Sequence, residues 1–224
     1  MYGGIKIRAF IFDMDGVIID SEPLHFESDK MVMREFGVEL TDEELNRYVG
    51  VANPQMWIEL KDKYSIDLSV DELIEMQHMN KLKLLEDNQL ETIRGIDELI
   101  TDLQRKGIAV ALASSSNMEF IQLVLKKLGI TECFQVIVSG DDVEKGKPEP
   151  DIFLKAAELL KVRPQDCIVL EDSAHGVNAA KRAGMKCIGF INPNSGNQDL
   201  SKADKIVSTL EGLEYDCLYE DKEK

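Results

Sequence analysis

Cysteine is scarce and unpaired in pattern: Cys133, Cys167, Cys187 and Cys217 are scattered, with no Cys-x-x-Cys. That excludes a disulfide-built scaffold and a thiolate metal site, and three of the four abut apolar runs, where they read as small buried hydrophobes. Positive charge is also short, with 26 Lys and Arg against 42 Asp and Glu and a net charge of −16. Nucleic acid and anionic membranes both reward a basic face, so neither is expected as a partner. An anionic ligand would be repelled at long range, so any phosphate site must be a local positive island. No apolar run reaches the roughly 20 residues of a membrane span, and Met1-Tyr2-Gly3-Gly4 lacks a signal-peptide pattern. The expected setting is the reducing cytoplasm.

What is present is one globular unit's worth of core. At 224 residues and 44% hydrophobic, folding buries roughly 70% of the unfolded surface without staples. Short, nearly continuous apolar runs stand at Arg8–Phe12, Ile108–Ala113, Gln135–Ser139, Cys167–Leu170 and Lys186–Ile191. Such runs suit parallel strands covered on both faces. Between them, Ile96–Lys106, Met118–Leu128, Pro150–Leu160 and Ala174–Ala183 carry helical periodicity, with Gly107, Gly129 and Gly184 placed as C-caps. The alternation predicts an α/β fold, a Rossmann-like doubly wound parallel sheet.

Residues 21–88 break the alternation. They read as helices only, over Pro23–Phe36, Thr41–Val49, Pro54–Tyr64 and Ser69–Glu86, with capping-box pairs Thr41/Glu44 and Ser69/Glu72. A helical cap inserted after the first strand is expected there, with a catalytic core made of residues 1–20 and 89–224. Trp57 and Met31, Met33, Met56, Met76 and Met79 fall mostly at core spacings in that block.

The chemistry gathers at strand ends. Asp13-Met14-Asp15-Gly16-Val17 follows the first strand directly, where open α/β sheets bind ligands. Two adjacent carboxylates suit a hard divalent cation such as Mg²⁺, although Asp-rich surface turns give the same string. Ser114-Ser115-Ser116-Asn117 opens a helix after the second strand, fit for a phosphate oxygen or simply for an N-cap. Lys147 lies in Gly146-Lys147-Pro148-Glu149-Pro150-Asp151, a stiff approach that aims a lysine or a turn that exposes one. Glu171-Asp172 ends another strand and either completes an oxygen shell or caps the helix from Ala174. Four such elements, each at its own strand end and in this order, are hard to obtain by accident.

Together they resemble the four signature motifs of the haloacid dehalogenase superfamily. Asp20-Ser21-Glu22-Pro23-Leu24-His25, Lys147-Pro148-Glu149-Pro150-Asp151-Ile152-Phe153 and Leu170-Glu171-Asp172-Ser173 are similar to its β-phosphoglucomutase-like branch. The resemblance implies Asp13 as a nucleophile forming an aspartyl-phosphate and Asp15 as general acid/base. It implies Mg²⁺ on the Asp13 carboxylate, the Asp15 main-chain carbonyl and Asp172, with Glu171 nearby. Ser114, the Ser115 amide and Lys147 would hold the phosphoryl group, and His25 would face the cleft as a substrate contact or a half-buried structural residue.

Within that branch the expected activity is hydrolysis of a small phosphate monoester, a sugar phosphate first, with a phosphosugar mutase as the alternative. A mutase must also hold a second phosphate, and a β-phosphoglucomutase does so with a cap arginine where this chain has Asn53; Asn117 likewise replaces a lysine. Lys61, Lys63, Lys81 and Lys83 are read as solvated, and His78 and His175 have no second ligand at metal spacing. The expected partner is a small phosphorylated metabolite, and the expected state a monomer.

Overall fold

The computed structural model describes residues 7–49, 51 and 53–218; Gly50, Ala52, residues 1–6, the last six residues of the acidic tail, and the Cys217 side chain lie outside the described residues. Six parallel strands form one sheet: β1 (Ala9–Phe12), β2 (Ala109–Ala113), β3 (Val136–Val138), β4 (Cys167–Glu171), β5 (Lys186–Phe190) and β6 (Lys205–Val207). Their order is β3-β2-β1-β4-β5-β6. The chain winds outward from β1 in one direction, then from β4 in the other. The crevice between β1 and β4 is therefore the topological switch point, where such sheets bind ligands.

Each strand sends alternate residues to opposite faces. Phe10, Phe12, Val110, Leu112, Ile168 and Leu170 pack against α5 (Ile96–Arg105) and α6 (Met118–Leu128). Ala9, Ile11, Ala111, Ala113, Cys167, Val169 and Cys187 pack against α7 (Asp151–Leu160) and α8 (Ala174–Arg182). Bulky side chains dominate the first face and small ones the second. The four strands flanking the switch point are thus covered on both sides, which is why their sequences read as unbroken apolar runs. The sixth strand, Lys205–Val207, was not predicted. It is three residues long, largely exposed and at the sheet edge, so it carries no buried-strand pattern.

Four helices lie between β1 and α5: α1 (Glu22–Glu35), α2 (Asp42–Leu45), α3 (Asn53–Tyr64) and α4 (Val70–Asp87). The expected helix over Thr41–Val49 is shorter, ending at Leu45 and passing into a tighter turn over Asn46–Tyr48. Both capping boxes form, with Glu44 N–H donating to the Thr41 hydroxyl and Glu72 N–H to that of Ser69, each at 3.2 Å. The block has its own apolar cluster, in which Val32, Met33, Met56, Trp57, Leu60 and Leu73 surround one another. Met79 departs from the expected core role: it is 56% exposed, on the outer side of α4.

One buried carboxylate makes this block's stability depend on pH. Asp29 is 4% exposed and accepts from the Gln77 side-chain amide, and burial pushes its carboxyl from 3.8 up to about 6 despite that bond and Lys81. A carboxyl raised by folding binds its proton better in the native state. Its contribution to stability is therefore fully present below about pH 4 and is lost as pH rises through about 6. Asp29→Asn, which mimics the neutral form and keeps an acceptor for Gln77, should stabilise the protein at about pH 8. The gain should vanish near about pH 4 in urea titrations at both values.

Candidate active site

The end of β1 fixes the first carboxylate. Asp13 follows Phe12 directly, and its N–H donates to the Leu170 carbonyl at 3.0 Å, so its side chain emerges at the switch point beside β4. The turn that follows, with Gly16 N–H donating to Ile19 O at 2.8 Å, brings the chain back sharply. Gly16 has φ +78°, and a Cβ there would lie 1.9 Å from the Asp172 carboxylate. Gly176 is excluded from side chains for the same reason, since its Cβ would fall 1.6 Å from Glu171 Oε1. Only glycine lets these two backbones approach the second acidic pair.

Asp13, Glu171 and Asp172 are all buried and bring one carboxylate oxygen each within 4.8 Å of one another. Lys147 lies among them. Its ammonium donates to Asp13 Oδ1 at 2.5 Å, to Glu171 Oε1 at 2.8 Å and to the Ala113 carbonyl at 3.3 Å, over the Phe153 ring at 4.9 Å. Burial alone would favour its neutral form, but the charges of Asp13 and Glu171 outweigh it and raise its pKa. The far oxygen of Glu171 accepts from the Ser173 N–H and hydroxyl, at 2.7 and 2.9 Å. Asp172 accepts from the Ser195 hydroxyl.

One ammonium does not balance three buried carboxylates. Burial, with Glu171 and Asp15 nearby, pushes Asp13 up to about 7 even though Lys147 pulls it down. Burial and the charges of Glu171 and Asp13 likewise raise Asp172 well above its ordinary value. The cleft above contains Asp13, Asp15, Asp20, Glu22, Asp29, Glu171 and Asp172, seven acidic side chains, against Lys81 and Lys147. A phosphate dianion could not enter such a field unaided. A hard divalent cation on the oxygens of Asp13 and Asp172 fits the donor set and the missing charge, and oxygen-only donors suit Mg²⁺.

Asp15 faces elsewhere. Its Oδ2 accepts from the hydroxyls of Ser116 at 2.8 Å and Ser114 at 3.2 Å, while His25 Nε2 stands 3.5 Å from Oδ1. Burial raises its carboxyl, yet the contact with His25 and bonds from Ser21 and Ser116 hold it well below the ordinary range. His25 is itself pushed toward its neutral form by burial and by Lys81. The Asp15 side chain is not one of the three in the acidic cluster.

The serine loop differs from its expected arrangement. Ser114 is fully buried and does not line the cleft; its hydroxyl is spent on Asp15 and accepts the Ser116 N–H at 3.0 Å. Ser115 and Ser116 do line it. Ser116 is a site residue the sequence reading passed over, and its only signal was a third serine two positions beyond Ser114. Ser195 was also missed. It lies in Asn192-Pro193-Asn194-Ser195-Gly196 after β5, a turn-rich string at the same end of the sheet, anchored where Asn192 Nδ2 donates to the Gly16 carbonyl at 3.0 Å.

The cleft has a volume of about 780 Å³ and lies between these loops and the helical block. His78 on α4 is not the bland residue expected. Asn117 Oδ1 accepts the Phe120 N–H at 2.9 Å and so fixes the amide's orientation. Asn117 Nδ2 then faces His78 Nδ1 at 3.1 Å, and His78 Nε2 faces Glu119 Oε2 at 3.1 Å. With a ring proton on Nε2 and a free Nδ1 both contacts are hydrogen bonds, and they join α4 to the start of α6. Lys81 also lines the cleft and is not a solvated residue as expected, whereas Lys63 pairs with Glu44 and Lys61 bonds the Leu68 carbonyl.

A buried carboxylate held by lysine at the switch point, beside an acidic cluster whose oxygens could hold a metal and a second carboxylate on hydroxyls, defines a phosphoryl-transfer type of α/β enzyme. The chain matches the haloacid dehalogenase-like hydrolase family over residues 10–190. It belongs to that family, in the β-phosphoglucomutase-like branch of phosphoric monoester hydrolases. A phosphorylated carbohydrates phosphatase of Thermotoga maritima is 35% identical over 90% of this chain and 93% of its own. A beta-phosphoglucomutase of Bacillus subtilis is 31% identical over 97% of this chain and 96% of its own. The structure of CbbY from Rhodobacter sphaeroides, solved with xylulose-(1,5)bisphosphate, superposes with a TM-score of 0.81 at 25% identity, covering 91% of this chain and 95% of that one.

Proposed function

We propose that the protein is a Mg²⁺-dependent phosphatase that hydrolyses a small phosphate monoester, a sugar phosphate, through an aspartyl-phosphate on Asp13. The observation that carries this reading is the Lys147 bridge between Asp13 and Glu171, which aims one carboxylate into the cleft with its counter-charge fixed. Asp13 attacks phosphorus while Lys147 and the Ser115 amide hold the phosphoryl oxygens. Asp15, steadied by Ser114, Ser116 and His25 and ionised in the resting cleft, takes up a proton as the phosphate dianion enters beside it, gives that proton to the leaving oxygen and regains one from the attacking water. When bound on Asp13, the Asp15 carbonyl and Asp172, with Glu171 behind them, the metal supplies charge neutralisation of the phosphoryl oxygens. Residues 21–88 act as a cap domain over a core of residues 1–20 and 89–224. The enzyme works as a monomer in the cytoplasm, a setting consistent with the free thiols of Cys133, Cys167 and Cys187.

The hydrolase reading is preferred to the mutase because the two residues replacing a mutase's cations are already engaged. Asn53 Nδ2 donates to Gln77 Oε1 at 2.8 Å, and Asn53 Oδ1 accepts from Gln77 Nε2 at 3.2 Å. Asn117 is spent on Phe120 and His78. Each has one amide N–H already spent, and neither carries the positive charge of the residue it replaces, where a charge-assisted contact to phosphate contributes about 1.5–3 kcal/mol. Incubation with β-glucose 1-phosphate and a trace of glucose 1,6-bisphosphate should give inorganic phosphate or nothing, and little glucose 6-phosphate. Phosphate release from a sugar-phosphate panel should stop with chelator and return with Mg²⁺. Isomerisation outrunning phosphate release would establish the mutase.

A further inference from the structure

On the helical side of the cleft most charged and amide groups have partners. Gln77 bonds both Asn53 and Asp29, Asn117 and His78 face each other, and Asp20 accepts from Asn194 at 2.5 Å. Two charged groups are left. Glu22 at the start of α1 and Lys81 on α4 both line the cleft and are half-buried. Neither side-chain head makes a hydrogen bond or an ion pair within 4 Å among the described residues, yet each lies near enough to feel the other's charge. Partly buried charges without partners are costly, so such heads persist where a ligand pairs them.

We infer that Glu22 and Lys81 are specificity-determining residues that read the leaving group, taking adjacent hydroxyls of a monophosphorylated polyol and turning away a second phosphate. The inference rests on the phosphatase reading above. Burial and the charges of Asp15, Asp29 and Asp20 raise Glu22 to about 7, so above that pH its carboxylate only accepts and the Lys81 ammonium only donates, whereas a hydroxyl does both. Neighbouring hydroxyls can donate to Glu22 and accept from Lys81 at once. A second phosphate would gain Lys81 but face Glu22, with Asp20 and Asp29 close behind it. A bare alkyl chain would leave both charges unpaired, the loss by which polar sites reject analogues lacking a hydroxyl. Sequence reading set Lys81 aside because its periodic position on α4 resembles that of its solvated neighbours; only the packing of α4 over the core turns it inward.

The test compares kcat/KM of the full-length enzyme with Mg²⁺ for erythritol 4-phosphate, n-butyl phosphate and butane-1,4-diol bisphosphate, three esters of one chain length. Wild type should favour the polyol phosphate over each of the others by at least about tenfold, the effect of one lost charge-assisted hydrogen bond. In Glu22→Gln and in Lys81→Met the polyol-to-alkyl ratio should fall toward one, mainly through KM. Equal rates on the polyol and alkyl esters in wild type overturn the inference without needing any variant to fold. So does preference for the bisphosphate, or a ratio unchanged in both folded variants. If p-nitrophenyl phosphate is hydrolysed and none of the three esters is, this inference alone falls. If no ester is hydrolysed at all, the phosphatase reading falls and takes the inference with it.

Discussion

Asp13→Asn should lower turnover by at least ~10³-fold while the protein stays folded. Asparagine keeps the size of the side chain and an oxygen for Lys147, which stands 2.5 Å from Oδ1 in the native site. What it loses is the nucleophilic carboxylate. Its removal also relieves repulsion among Asp13, Glu171 and Asp172, so thermal stability without metal should be unchanged or higher at about pH 8. That combination separates a nucleophile from a structural residue, whose loss lowers activity and stability together. It also separates a nucleophile from a simple metal ligand, because saturating Mg²⁺ should not restore turnover. Activity regained at high Mg²⁺ would assign Asp13 to metal binding alone.

Lys147→Met is expected to damage both function and stability. Methionine fills a similar volume and can still contact Phe153, but Asp13 and Glu171, two buried carboxylates, then lose the ammonium bonded to both. Breaking a buried ion pair by removing one partner costs about 3–5 kcal/mol. The loss should be largest at about pH 8 without metal. It should shrink toward about pH 5, because Asp13, raised to about 7, takes up a proton there and no longer needs the lysine. A preorganised donor to a transferring phosphoryl group contributes another 10²–10³ in turnover. Urea titrations at the two pH values, with and without Mg²⁺, check the first effect, and steady-state rates at saturating Mg²⁺ check the second. An equal stability loss at both pH values would mean that Lys147 acts through packing and not through charge.

The sheet was legible because burial on both faces leaves little freedom in sequence. Phe10 and Ile11 must both be apolar, since they point to different cores. The ends of β1, β2 and β4 were legible for the same reason: polar residues begin where cover stops, and there the chemistry starts. Lys205–Val207 was not, because an exposed edge strand can carry lysine. Within the site, Asp13, Lys147, Glu171 and Asp172 lie together as local motifs suggested. Ser114 turned out buried beneath the cleft and Ser116 on it, because which serine of a run faces a cleft is set by tertiary packing and not by the residue type. Lys81, His78 and Ser195 act through partners more than twenty residues away or through the cleft itself, and no periodicity records that. The helical block is where tertiary packing decides most and sequence pattern least.

The central claim is that phosphoryl transfer passes through Asp13. Rapid acid quench of the enzyme during turnover of a labelled phosphate ester, followed by borohydride reduction and peptide mapping, tests it directly. The account predicts a phosphoenzyme, present only with Mg²⁺, whose reduction converts residue 13 alone to homoserine, and none in Asp13→Asn. Phosphate release at full rate with no reducible adduct at residue 13, or with the adduct on another side chain, would contradict it.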